Sequence, residues 1–330
     1  MNQLEILEDY AIAIIMKILH DDDDDNTDVN HDDDDDDDAD LDDDDDDDDD
    51  SSLIILPKYL TGENWKRNDT EKPKKMKAIL QELYPTPPEE ETSNQVVQGV
   101  MSLVSYAPEN TESLKNFQVV KENSNCLFAK KAKLWGSPDW NEKLKLEGNI
   151  SRLVPMFLKF TILCSQERLD GFLLELPGFP FGKDIQAFGD ALYKVLAILS
   201  DFDPAGFHCM DKSYVGKRGW VFEFNKITFF ITTFAPFYPE NHARYSHGAE
   251  NCYIFFQPEL SFAFKDLPPD TSETNWTEPK TVRDRIRIAF KEAGRRYTVP
   301  EDPSSPMALD MLRPINEGEG VYEWWKSEKF

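Results

Sequence analysis

Cysteine is scarce in this 330-residue chain: four residues, Cys126, Cys164, Cys209 and Cys252, with no Cys-x-x-Cys pair. That removes a disulfide framework and zinc-ligand spacing. No secretory signal precedes them, so reduced thiols and a cytoplasmic location are expected, with Cys164 and Cys252 as small core residues in apolar runs. A membrane-length apolar run is missing as well. The stretch Leu4 to Leu19 is too short and is interrupted by Glu5, Glu8, Asp9 and Lys17, so it predicts a short helix over residues 1–20 and no transmembrane span. Clustered Lys/Arg surface is also lacking, which excludes a nucleic-acid binder of the phosphate-neutralising kind. GxGxxG, GxxxxGK[ST], HExxH and GxSxG are all absent. Dinucleotide binding, P-loop phosphoryl transfer, zincin chemistry and the α/β-hydrolase elbow therefore lack their signatures.

What is abundant is aspartate in one place. Residues 21–50 hold 23 Asp and no Lys or Arg, leaving 41 acidic against 36 basic groups elsewhere. Such a run repels itself and buries nothing, so residues 21–51 read as a disordered low-complexity segment, able to recruit a basic partner. The rest is an ordinary, mildly acidic globule with ample apolar material for one large domain over 52–330.

Within that domain the pattern predicts an extended piece at Leu53–Pro57 and helices over 74–83 and 94–106. A strand-like run at Cys126–Ala129 is followed by Lys130, Lys131 and Lys133, which could meet an anionic group. Residues 148–166 read as a buried helix kinked or begun at Pro155, 171–177 as a short strand, and 183–200 as an amphipathic helix. Arg218–Phe224 alternates with period two, and Asn225-Lys226 joins it to Ile227–Phe234, which requires an antiparallel hairpin. Cys252–Gln257 is another strand, 260–276 is irregular, and Thr281-Val-Arg-Asp284 opens a helix to about Ala293. Tyr322-Glu-Trp324-Trp325 reads as a segment capping the core. The expected fold class is α+β: one domain with an antiparallel sheet of four or five strands covered by helices.

Between the last two strands lies a loop of seventeen residues, Ala235 to Asn251, carrying His242 and His247, two of five histidines in the chain. Loops of this length in compact domains are usually functional. The two imidazoles are five apart, which neither helix nor strand places on one face, so a two-histidine metal site is unsupported. A cysteine-histidine pair of Cys126 or Cys209 with His242 has no local support either. Two readings of His242 stand on the residues alone: a histidine satisfied by hydrogen bonds inside the loop, and the sole protein ligand of a haem iron flanked by Phe234, Phe237, Tyr238 and Tyr245.

Trp220-Val-Phe-Glu-Phe224, Phe229-Phe-Ile-Thr-Thr-Phe-Ala-Pro-Phe-Tyr-Pro-Glu-Asn-His242-Ala-Arg244-Tyr245-Ser, Phe255-Phe-Gln257-Pro258 and Arg283-Asp-Arg285-Ile-Arg287 resemble the core pattern of the YqcI/YcgG family. Asn125-Cys126-Leu-Phe-Ala129 resembles its upstream Cys-x-Phe-Ala element, and the likeness covers roughly residues 120–325. The resemblance implies a kinship with haem-dependent oxygenases that hydroxylate nitrogen on arginine or related guanidino compounds. On that basis His242 is the expected iron ligand, with His247 the alternative. Arg244, Arg283 or Arg285 would hold propionates or a substrate carboxylate, and Trp220, Tyr238 and Tyr245 would line the pocket. Glu223 or Glu250 would meet a guanidinium in a small-molecule substrate. Many family members carry a second Ser-Arg where this chain has Ser246-His247. The competing expectations are a non-enzymatic interaction domain and a haem-free hydrolase or transferase.

Overall fold

Phe157 is wholly buried and meets five other phenylalanine rings, Phe160, Phe172, Phe224, Phe229 and Phe256, at centroid separations of 5.0 to 6.2 Å. One helix is thereby tied to four strands. A computed structural model describes residues 106–326 except 204, 208, 266–270 and 298–304. The expected elements at 1–20, 21–51, 53–57, 74–83 and 94–106 lie outside the described residues.

Four helices of more than two turns are described: α1 (Glu112–Asn123), α2 (Leu146–Leu163), α3 (Ile185–Asp201) and α4 (Val282–Glu292). Five strands, β1 (Leu134–Gly136), β2 (Gly171–Leu176), β3 (Phe222–Phe224), β4 (Ile227–Phe234) and β5 (Cys252–Pro258), form one sheet in the order β1-β2-β5-β4-β3. The fold is α+β as expected. The sheet, however, is mixed, because β1 runs parallel to β2 while the other pairs are antiparallel. The crossover that a parallel pair needs is α2.

Local chemistry explains most of the boundaries. Asn225 and Lys226 both adopt positive φ, 50° and 62°, the requirement of a two-residue hairpin whose twist matches its strands. Thr281 and Asp284 exchange capping bonds at the start of α4, and the Asp184 carboxylate accepts the Ala187 N–H at the start of α3. Pro155 neither begins nor ends a helix: α2 runs from Leu146 through it, with Leu153, Val154, Met156, Phe157 and Leu158 on either side of it buried.

Helix α1 is missed by periodicity because its run Glu-Ser-Leu-Lys-Asn-Phe-Gln-Val-Val-Lys-Glu-Asn carries few apolar residues. It is set instead by its cap, where Thr111 Oγ1 accepts the Leu114 N–H. The strand expected at Cys126–Ala129 is absent. A 3-10 turn occupies Ala129–Lys131, and the strand forms at Leu134, where the side chains become buried. Residues 260–263 make one helical turn rather than an irregular segment. Trp324 and Trp325 are buried, Trp324 donating its indole N–H to the Ala308 carbonyl, so the C-terminal segment does cap the core.

Strand alternation sorts the sheet into two faces. Phe229, Ile231 and Phe256 go to the packed side under α2, whereas Phe230, Thr232, Phe234, Phe255 and Gln257 go to the other. Truncating Phe157 to Ala should lower unfolding stability by about 3–5 kcal/mol. The same change at Phe179, which is 80% exposed, should cost no more than about 0.5 kcal/mol. Urea denaturation of the two variants checks both.

Candidate functional site

The second face of the sheet is not filled. A cavity of about 480 Å³ lies there, within the usual size of small-molecule sites. Its floor is Phe230, Thr232 and Phe234 of β4 with Phe255 and Gln257 of β5. One wall is α1, through Phe117, Val120 and Lys121; the other is α4, through Arg283, Ile286 and Phe290, residues three and four apart on one helical stripe. Polar groups enter at two ends. Arg244 comes from the long loop beside Asp310 and Arg313, while Asp170, Glu259 and Lys265 lie toward the end where β5 begins its exit.

The loop itself is pinned rather than loose. The Ala235 N–H donates to the Arg244 carbonyl at 3.3 Å, the Arg296 N–H to Asn241, and the Tyr238 hydroxyl to the Arg313 carbonyl at 2.8 Å. These bonds bring Arg244 back to the mouth of β4 and bury it to 8% exposure. Its Nη2 donates to the Asp310 carbonyl at 3.2 Å, and among the described residues it has no carboxylate within ion-pair distance. Burial, then the neighbouring Arg313, pull its pKa down to about 10. The guanidinium remains charged near neutrality, so the site holds a buried cation that faces the hollow.

His242 does not line that cavity. Its ring stacks face to face on Tyr238 at 4.2 Å and 2° between planes. Nδ1 accepts the Arg244 N–H at 3.1 Å, leaving the other nitrogen to donate to the Pro314 carbonyl. Burial, followed by the charges of Arg244 and Arg296, lowers its pKa to about 4, so the ring is neutral at ordinary pH. With both nitrogens engaged, it offers no free lone pair to an iron or to Cys126 or Cys209. His247 is spoken for as well. It sits at a φ of 56° with its ring nitrogens 2.6 and 3.2 Å from the Arg295 guanidinium, and burial followed by that charge lowers its pKa to about 4.

Of the other expected site residues, Arg283 and Arg244 reach the cavity. Arg285 is exposed on the far side of α4, and Arg287 is buried in a clamp on the carbonyls of Thr271 and Glu273. Trp220 is buried with its indole N–H on the Cys209 carbonyl. Tyr238 and Tyr245 flank histidines rather than the hollow, and Glu223 and Glu250 lie away from it. Lys130, Lys131 and Lys133 are exposed beside the cavity wall without lining it.

Several lining groups escaped the sequence reading: Asp170, Glu259, Tyr297, Asp310 and Arg313 stand in segments with no motif. Cys126 also lines the cavity. Burial raises its thiol pKa, while backbone N–H groups of Phe128 and Ala129 bonded to the sulfur act in the opposite direction. No group of three metal-ligating side chains occurs among the described residues, and no described helix is long and apolar enough to cross a membrane.

Fold and site together define a mixed-sheet α+β domain with a ring-walled cavity on one face. The chain belongs to the YqcI/YcgG family, whose model matches residues 115–291, more than half of its length. No curated protein and no solved structure matches it.

The neutral state of His242 has a consequence for stability. Its folded pKa is depressed, so between pH 6.5 and about 4 the unfolded chain takes up a proton that the folded chain refuses. Stability therefore falls as pH drops through that window. His242→Gln, which stays neutral, should flatten this fall by up to a few kcal/mol, as measured by urea denaturation at neutral and mildly acidic pH.

Proposed function

We propose that the domain is a haem-binding oxygenase acting on nitrogen of an amino acid or guanidino compound, with cofactor and substrate entering the cavity between α1 and α4. The observation that carries this reading is the cavity lining: aromatic rings on floor and walls, with one thiol and one buried guanidinium opening onto the same hollow. The family resemblance supplies the reaction class.

The donor set favours a different iron ligand from the one read in sequence. The lone pairs of His242 and His247 are taken by the Arg244 N–H and Arg295, whereas the Cys126 sulfur opens on the cavity; burial raises its thiol pKa against the smaller opposing effect of the Phe128 and Ala129 N–H groups, so bound iron itself would have to hold it as the thiolate. Arg244, Arg283 and Arg313 are the lining residues suited to carboxylates such as propionates. The bound haem would supply the oxidising chemistry that side chains do not have.

The chain's own residues do the rest. Phe117, Phe234, Phe255 and Phe290 exclude water and hold a flat apolar body. Asp170 and Glu259, in place of Glu223 and Glu250, are the lining carboxylates that would hold a cationic nitrogen. Asp170 already meets the Lys133 N–H at 2.8 Å and Lys265 at 3.1 Å, so a cationic substrate would exchange with Lys265. All four cysteines are free, in keeping with a cytoplasmic enzyme.

Purified full-length chain supplemented with haemin should develop a Soret band. Cys126→Ser should shift or abolish it, and His242→Gln should leave it in place. No Soret band in the wild type defeats the haem reading, and a band lost only in His242→Gln returns the ligand to the loop.

A further inference from the structure

We infer that the segment 305–313 is the specificity-determining wall of the cavity, and that Met307 is the side chain on it that sets how much apolar ligand the hollow accepts. The segment lies past residue 291, where the family model ends, yet Met307, Asp310 and Arg313 line the same hollow as the strands and helices inside the matched range. One wall of the cavity is thus built from chain outside the stretch that carries the family pattern. A change there alters the ligand without touching the sheet or the two helices.

Backbone bonds fix the wall. Four of its carbonyls each accept a side-chain donor from a different residue: Ala308 takes the Trp324 indole N–H at 2.9 Å, Asp310 the Arg244 Nη2 at 3.2 Å, Met311 the Thr233 hydroxyl at 2.5 Å and Arg313 the Tyr238 hydroxyl at 2.8 Å. Thr233 belongs to β4, Tyr238 and Arg244 to the long loop, and Trp324 to the capping segment. A buried carbonyl deprived of its donor is costly, so these anchors hold the register of the segment. A helical turn at Ala308–Met311, with the Asp310 N–H on the Met307 carbonyl at 3.0 Å, then fixes the Met307 backbone. What stays adjustable is its side chain.

The neighbouring groups do not share that freedom. Phe230, Phe234 and Phe255 are set by the strand ladder, and Ile286 and Phe290 by α4. Met307 is the one methionine among the lining residues, unbranched and with three rotatable bonds, so it swings to follow the end of a ligand. It is half-buried, whereas Ala308 beside it is wholly buried. The rings fix the width of the hollow and Met307 its reach.

The inference rests on the cavity being a ligand site, as proposed above, but not on haem. Calorimetric titration of the full-length chain with hexanol, octanol, decanol and dodecanol reads that reach, because these probes are neutral and differ only in length. Affinity should rise about fourfold for each buried methylene and level off once the hollow is full. Met307→Ala should move the levelling-off to a longer alcohol. Met307→Trp should move it to a shorter one and weaken the longest alcohol by the worth of two methylenes, about tenfold or more. A merely structural role for Met307 would lower all the affinities together and leave the levelling-off in place.

A levelling-off that stays put in both variants overturns the wall, as does wild-type chain that binds none of the alcohols. Haemin titration of the same samples separates this from the oxygenase reading. A profile that moves with the Met307 substitutions in a chain without a Soret band keeps the wall and defeats haem, and a Soret band with an unmoved profile does the reverse. Met307→Ala only removes atoms, so it carries the test where the tryptophan variant fails to fold.

Discussion

The strand register of β4 against β5 is the constraint from which the rest follows. Ile231 faces Phe256 across the pair and Thr232 faces Phe255, so one set of side chains enters the Phe157 cluster and the alternate set faces the cavity. A slip of one residue would exchange the two sets. The packed face is dense enough to fix the register: buried phenylalanine rings from four strands and α2 meet there, each burying a large apolar area. The cavity face can then remain partly empty, because cohesion is supplied from behind. Hollow and core are two sides of one alternating pattern.

Helix placement completes the division. Helix α2 lies over the packed face through Phe157 and Phe160. Helices α1 and α4 stand on the opposite face, each offering a narrow apolar stripe followed by charged residues. On α4 the split is visible residue by residue: Arg283, Ile286 and Phe290 turn inward, Arg285 turns to solvent, and Arg287 ties the helix to the preceding 271–274 segment. Three arginines two residues apart thus do three different jobs. Spacing alone distinguishes the inner from the outer ones, but the clamp role of Arg287 depends on where the irregular segment before the helix runs.

The parts of this fold that were legible in sequence are those governed by short-range rules. Asn225-Lys226 announced a tight hairpin, Phe222 and Phe224 alternated, and Thr281 with Asp284 announced a helix start. Failures came where distant contacts decide. Helix α1 has a weak apolar stripe and forms against Leu134, Leu173 and Tyr253, residues that adjoin it only once the sheet exists. The direction of β1 follows from α2 crossing the sheet, which no local pattern encodes. Asp310 and Arg313 looked like ordinary polar residues in a tail, and only their return to the β4 end gives them meaning. His242 was conspicuous for its chemistry, yet a sequence does not say whether an imbedded imidazole faces a hollow or a neighbouring ring.

That last point separates two uses of a long ordered loop. Its histidines draw attention because they can ligate and titrate, but here burial and surrounding guanidinium charge hold both rings neutral, and their lone pairs are taken by the Arg244 N–H and by Arg295. A ring in that condition is a brace. What it braces is the residue two positions on, whose side chain is buried, charged and turned to the cavity. The chemically versatile residue in the motif is therefore the support, and the always-charged residue beside it is the group turned to the cavity. This division is physically economical: a neutral stacked imidazole tolerates burial among arginines, whereas the guanidinium keeps its charge where the backbone turns it to the hollow.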